Sequence, residues 1–221
     1  MRTWALASQK GGSGCSTLAV HLAVLAEAEG EMVGIIDLDP QANVYEWHEV
    51  RGTNAPNVFP GTVEALPKMI DAAATLGITL TLIDTPSKVD ATVLAAIRAA
   101  DLIITPTRAG LFDVAALKDT VKLLEMTEKL PAALAVINNF DPDKRATVVP
   151  EASAVLDGFG IAVSSVHVPH RPQLETALGK GKGVTEAYPK SIAAEDIRAL
   201  WAQLNHLTRA KASAKRRRAS S

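Results

Sequence analysis

Short, almost uninterrupted apolar runs alternate along this chain with longer segments whose apolar residues recur every three or four positions. The runs predict strands at Thr3–Ser8, Met32–Asp37, Thr79–Asp84, Leu102–Pro106, Leu134–Asn138 and Ser164–Val168. A strand covered on both faces has no polar face to alternate with, so continuous apolar runs point to the interior of a parallel sheet. The longer segments predict helices at Ser16–Glu29, Pro67–Leu76, Asp90–Ala100, Asp113–Lys129, Pro150–Phe159 and Ile192–Leu207. Gly30 and Gly77 stand where helices end in a left-handed residue, and Pro67 and Pro172 suit first helical positions. Strand–helix alternation of this kind predicts an α/β fold, a mostly parallel twisted sheet flanked by helices, with ligands gathered at the carboxyl ends of the strands.

The chemistry begins where the first strand ends. Gln9-Lys10-Gly11-Gly12-Ser13-Gly14-Cys15-Ser16-Thr17 leads directly into a helix. Gly11, Gly12 and Gly14 let the backbone bend tightly and aim its N–H groups at one anion, and the helix adds the positive end of its dipole. Ser16 sits where a phosphate-loop hydroxyl would meet Mg2+. Two acidic motifs follow in order. Asp37-Leu38-Asp39-Pro40-Gln41 closes the second strand, and its aspartates, two residues apart, are expected to point together into the crevice. Asp84-Thr85-Pro86-Ser87 closes the third strand.

In this order, the three motifs resemble those of the ParA/MinD family of deviant Walker A ATPases, nearest the small ParA partition proteins. The resemblance spans roughly residues 3 to 207 and implies ATP/ADP and Mg2+ as ligands. It makes Lys10 the signature lysine that reaches across an ATP-dependent homodimer, and Lys10 through Thr17 the phosphate cradle. It makes Asp39 the residue that orients the attacking water, and puts Ser16, Asp37 and Asp84 at Mg2+. Asn138 becomes the adenine-edge residue and Pro169 a flank of the base. Thr105-Pro106-Thr107-Arg108 becomes part of the dimer face. One residue departs from the pattern: Cys15 stands where the family has a lysine against the β- and γ-phosphates. A thiol at its ordinary pKa is neutral and cannot supply that charge. Two readings compete. Cys15 is either a loss-of-hydrolysis change, natural or engineered, in an intact fold, or a feature of a degenerate regulatory relative. A reactive thiol at the helix N-terminus is a third possibility.

Composition sets limits on these readings. The 221 residues, 48% of them apolar, fit one ATPase domain over 1–208, and the formal net charge of −1 gives no global attraction to nucleic acid. Positive charge collects at the end, in Arg209, Lys211, Lys215, Arg216, Arg217 and Arg218, which makes 209–221 a basic tail, expected to be disordered. In small ParA proteins basic residues near the last helix bind DNA without sequence preference, and this tail would extend such a surface. No apolar face follows Leu207, against the membrane helix of the MinD branch. The single cysteine excludes a disulfide framework and fits a reducing cytosol, and the DNA binding that the resemblance implies would make this a cytoplasmic, nucleoid-associated protein. The chain starts almost at the phosphate loop, so operator-specific repression is not expected. The leading expectation is an ATP-driven switch that positions a plasmid, chromosome region or protein assembly with a ParB-like or small adaptor and without a membrane. Its competitors are a metabolic phosphate-loop enzyme and a catalytically dead nucleotide-binding scaffold.

Overall fold

The computed structural model describes residues 1–87 and 91–219, with side chains as far as Arg209. Its elements run β1 (Arg2–Leu6), α1 (Cys15–Ala28), β2 (Val33–Asp37), α2 (Asn43–Arg51), β3 (Asn57–Pro60), α3 (Leu66–Thr75), β4 (Leu80–Asp84), α4 (Ala91–Ala99), β5 (Leu102–Thr107), α5 (Leu111–Met126), β6 (Ala133–Ile137), α6 (Arg145–Gly158), α7 (Pro172–Leu178), α8 (Val184–Ala187) and α9 (Ile192–Ala219). The strands form one parallel sheet in the order β3-β2-β4-β1-β5-β6.

Strand periodicity divides the core into two layers. Trp4 and Leu6 of β1 pack on one face, under α1, α2, α7, α8 and α9, whereas Ala5 and Ala7 face α3 to α6 on the other. β1 is therefore central in both directions, and α1, which leaves it, is enclosed from Leu18 through Ala26 without a break. Gly30 and Gly77 adopt φ of 88° and 81° just past their helices, as expected of C′ glycines.

Among the elements that differ from the sequence reading are β3, the Ser164–Val168 segment, α6 and α9. β3 was not expected: it is a four-residue edge strand ending in Pro60, whose missing N–H is readily accommodated at the end of an edge strand. Ser164–Val168 makes only isolated bridges, Ala135 with Val163 and Asn138 with Val168. Ser164 Oγ donates to Val166 O at 2.7 Å and accepts from Val166 N at 3.0 Å, so a side chain replaces ladder partners and turns the chain. α6 starts at Arg145, not at Pro150, which lies inside it. The start signal is Asp141-Pro142, where the Asp141 side chain accepts from Asp143 N over a 3₁₀ turn at Pro142–Lys144. α9 runs to Ala219, past the end expected at Leu207 and through the expected tail. The Ala, Lys and Arg that fill this stretch are all strong helix formers. Asp90, the expected start of α4, lies outside the described residues.

Candidate functional site

The loop Lys10–Gly14 joins the central strand to the enclosed helix α1, so its position is fixed at both ends. Two of its glycines are demanded by geometry. Gly12 has φ of 73°, and a Cβ there would lie 2.7 Å from Arg108 Nη2. Gly14 has φ of 103°, and a Cβ would lie 2.2 Å from Asn138 Nδ2. Both neighbours grip loop carbonyls: Asn138 Nδ2 donates to Ser13 O at 2.7 Å and Arg108 Nε to Gly12 O at 3.1 Å. With outer carbonyls held by β5 and β6, the loop's N–H groups are left for a ligand.

A cavity of about 620 Å3 opens over this loop, lined by Lys10 through Thr17 together with Asp39, Thr85 and Ser87. At its foot Ser16 Oγ donates to Asp84 Oδ2 at 2.6 Å, while Asp84 Oδ1 is buried without a partner. Burial, with the nearby charges of Asp37 and Asp39, pushes the Asp84 carboxyl up to about 8 against the pull of the Ser16 hydrogen bond. A divalent cation would remove that penalty. Among the described residues no cluster of three His, Cys, Asp or Glu could hold a metal alone. This donor set, one hydroxyl and one carboxylate beside a phosphate cradle, suits Mg2+, which keeps its waters and takes ligands from substrate phosphates.

The two aspartates of the second motif part company. Asp39 lines the cavity, its Oδ1 accepting from Gln41 N at 2.9 Å. Asp37, expected beside it, is turned inward. Its Oδ1 accepts from Asp39 N at 3.1 Å, and its Oδ2 from Val44 N at 3.2 Å and Tyr45 N at 3.1 Å, the free donors at the start of α2. The strand period ends with β2 at Asp37, so residues 37 and 39 need not share a direction. Burial raises the Asp37 carboxyl above its usual range even so.

Cys15 opens α1 and lines the same cavity, with its sulfur 3.7 Å from Ser13 Oγ. Burial and then the Asp84 charge push the thiol far above its ordinary pKa, outweighing the hydrogen bonds from the Ser13 hydroxyl and the backbone. The thiol is therefore neutral at physiological pH, which argues against a nucleophilic role. A smaller cavity, about 210 Å3, lies on the other side of the loop, lined by Gly12, Gly14, Thr17, Arg108, Asn138 and Pro169 among others. Asn138 and Pro169 thus line the same cavity.

Residues 4–184 match the family described as the CobQ/CobB/MinD/ParA nucleotide binding domain. The chain belongs to this family. Among relatives of the ParA/MinD type, the chromosome-partitioning ATPase Soj of Thermus thermophilus is 28% identical, over 90% of this chain and 94% of that protein. The maintenance of carboxysome distribution protein A of Gloeobacter kilaueensis is 38% identical over 122 residues, which span 54% of this chain and 55% of that protein. The fold also matches MinD in the MinC:MinD complex of Aquifex aeolicus, with a TM-score of 0.77 at 16% identity over 93% of this chain and 96% of that one.

Set on this ParA/MinD-type frame, Lys10 is exposed on the outer turn of the loop. Arg209, expected in a DNA-binding surface, lies 3.3 Å from Glu31, which also holds Arg2. Lys211, Lys215, Arg216, Arg217 and Arg218 lie on α9 with side chains outside the described residues. No described helix is long and apolar enough to cross a membrane. Sequence reasoning missed α2, whose NVYEWHEVR stretch buries only Val44 and Trp47 and so shows no clear period. It also gave Arg108 no part at the phosphate loop. The only signal was its place just past a strand end, shared with the acidic motifs.

Proposed function

We propose that this protein is a ParA-type ATPase that closes into a homodimer on ATP and Mg2+, binds DNA without sequence preference and positions a cargo through an adaptor protein. The observation that carries this reading is the Ser16–Asp84 contact of 2.6 Å at the foot of the phosphate loop, with the second carboxylate oxygen buried and unpartnered. Bound Mg2+ would supply charge neutralisation to the phosphates. Ser16 and Asp84 would hold it, Asp84 by way of water. Asp39, at the cavity wall, would orient the attacking water, a task that is mostly positioning in phosphoryl transfer. Asn138 and Pro169 would meet the base, and Lys10, exposed at the cavity mouth, would extend to the partner's nucleotide. Asp37 keeps its assigned place near Mg2+ only indirectly, by fixing the Asp39 turn and the start of α2.

The basic end of α9 would pair with DNA phosphates. The partial match to a carboxysome-distribution protein supports counting a protein assembly, beside a plasmid or chromosome region, among the possible cargoes. The neutral thiol at Cys15 supports slow hydrolysis, with the nucleotide-binding scaffold as the limiting case. Light scattering with ATP and Mg2+ tests the switch: the Cys15→Lys protein is expected to dimerise and Lys10→Ala within it to remain monomeric. Equal dimerisation by both would refute the cross-dimer role of Lys10. Duplex-DNA binding should weaken with salt at a log–log slope of roughly −3.6 if about four phosphates are neutralised, and removing 210–221 should flatten it.

A further inference from the structure

Cys15 offers the phosphates no cation, even at a thiol's ordinary pKa. Three strong cations line the two cavities around the loop: Lys10, Arg171 and Arg108. Lys10 is on the exposed outer turn. Arg171 is committed to Asp196, its Nε 3.0 Å from the carboxylate. Arg108 differs from both. Its Nε donates to Gly12 O at 3.1 Å, its Nη2 rests against Gly12 where any side chain would collide, and among the described residues no carboxylate pairs with it. Gly12, Gly14 and Thr17 line both cavities, and Arg108 stands at that junction.

We propose that Arg108 is a phosphate-binding cation acting within its own subunit, contacting the α- and β-phosphates of the bound nucleotide and supplying the charge that Cys15 lacks. The proposal rests on the nucleotide-binding reading above. One nitrogen of the guanidinium is anchored on a backbone carbonyl of the phosphate loop itself. The remaining N–H groups keep the planar fork that suits phosphate oxygens. Neither Asp39 nor Asp84 lines the cavity on which Arg108 stands, so it is set apart from the carboxylates assigned to hydrolysis. Its contact should therefore be made equally with ADP and ATP, and it should act on binding more than on the chemical step.

The test is titration of fluorescent ADP and ATP, with Mg2+, into the full chain carrying Arg108→Ala, Arg108→Gln or Arg108→Lys, each with Cys15 or with Cys15→Lys. With Cys15 in place, Arg108→Ala and Arg108→Gln should weaken both nucleotides to the same extent, about ten- to a hundredfold, the worth of a charge-assisted contact. Arg108→Lys should recover part of the loss, and Cys15→Lys should shrink it. Arg108→Gln keeps a donor for Gly12 O, so melting of the free protein should be unchanged. A Gln variant that melts like the parent and binds ADP as tightly would overturn the proposal. So would a loss confined to ATP, or a loss of equal size with and without Cys15→Lys. A parent chain that binds neither nucleotide would instead overturn the nucleotide-binding reading, whatever Arg108 does.

Discussion

Replacing Cys15 with lysine tests whether the phosphate cavity still carries the field its missing cation requires. Asp84 and Asp39 both raise the Cys15 thiol pKa, which means that the potential at this position is negative. The same field that disfavours a thiolate favours an ammonium, and offsets part of the cost of placing one in a half-buried site. The side chain would enter the cavity of about 620 Å3 rather than displace core atoms. An ammonium about 4 Å from a phosphate oxygen at an effective dielectric near 20 gains roughly 4 kcal/mol. Desolvation and ordering of the side chain reduce this, leaving about 3 kcal/mol, on the order of a hundredfold in rate. The gain should fall mainly on hydrolysis, because negative charge shifts between β- and γ-phosphates only in the transition state. Single-turnover hydrolysis of Mg·ATP by the parent and Cys15→Lys proteins, with DNA and partner present, measures the effect, and nucleotide titration isolates the ground-state share. Equal single-turnover rates would refute the reasoning and transfer the cation role in hydrolysis to another group such as Lys10.

Three further outcomes are expected. Asp39→Ala should abolish turnover in the Cys15→Lys background while leaving Mg·ATP affinity within a few-fold, because a water-orienting group acts only in the chemical step; parallel loss of both would make Asp39 structural. Asp37→Ala should cost about 2–3 kcal/mol in urea unfolding, since it strands buried donors at the start of α2; a change below ~0.5 kcal/mol would show that water replaces the carboxylate there. His21 is fully buried with its Nδ1 accepting from Val184 N at 3.1 Å, and burial holds its pKa down at about 4. The unfolded chain binds a proton there below about pH 6.5 and the folded protein does not, so stability falls by about 2 kcal/mol from pH 7 to pH 5 through this group. His21→Gln should remove that share of the slope, and an unchanged slope would assign the acid sensitivity to other groups.

The sheet interior was legible because burial on both faces leaves an apolar run that needs no partner to be recognised. β1, β2, β4, β5 and β6 all lie within a residue or two of where the runs put them. Much of what escaped the sequence was decided by partners remote along the chain. The edge strand Asn57–Pro60 takes its conformation from pairing with β2, and its four residues carry no pattern of their own. The Ser164 hydroxyl broke an expected strand by local bonding that composition does not reveal. At the site, glycines and acids mark a phosphate cradle in any order-preserving reading. The inward turn of Asp37 and the placement of Arg108 on Gly12 O depend on α2 and on the end of β5, and are visible only in three dimensions.

The enclosure of α1 bears on how the protein responds to a ligand over time. Its residues from Leu18 to Ala26 are all buried, so their amides are expected to exchange only through a large-scale opening of the molecule. The phosphate loop is the leading end of that helix rather than a surface flap. Ligand binding to it therefore raises the free energy of the whole opening reaction by the logarithm of its saturation, instead of quieting one loop. A nucleotide bound at a hundred times its dissociation constant would add about 2.7 kcal/mol to every amide in that helix. Occupancy of this site would thus be recorded in the lifetime of the folded chain.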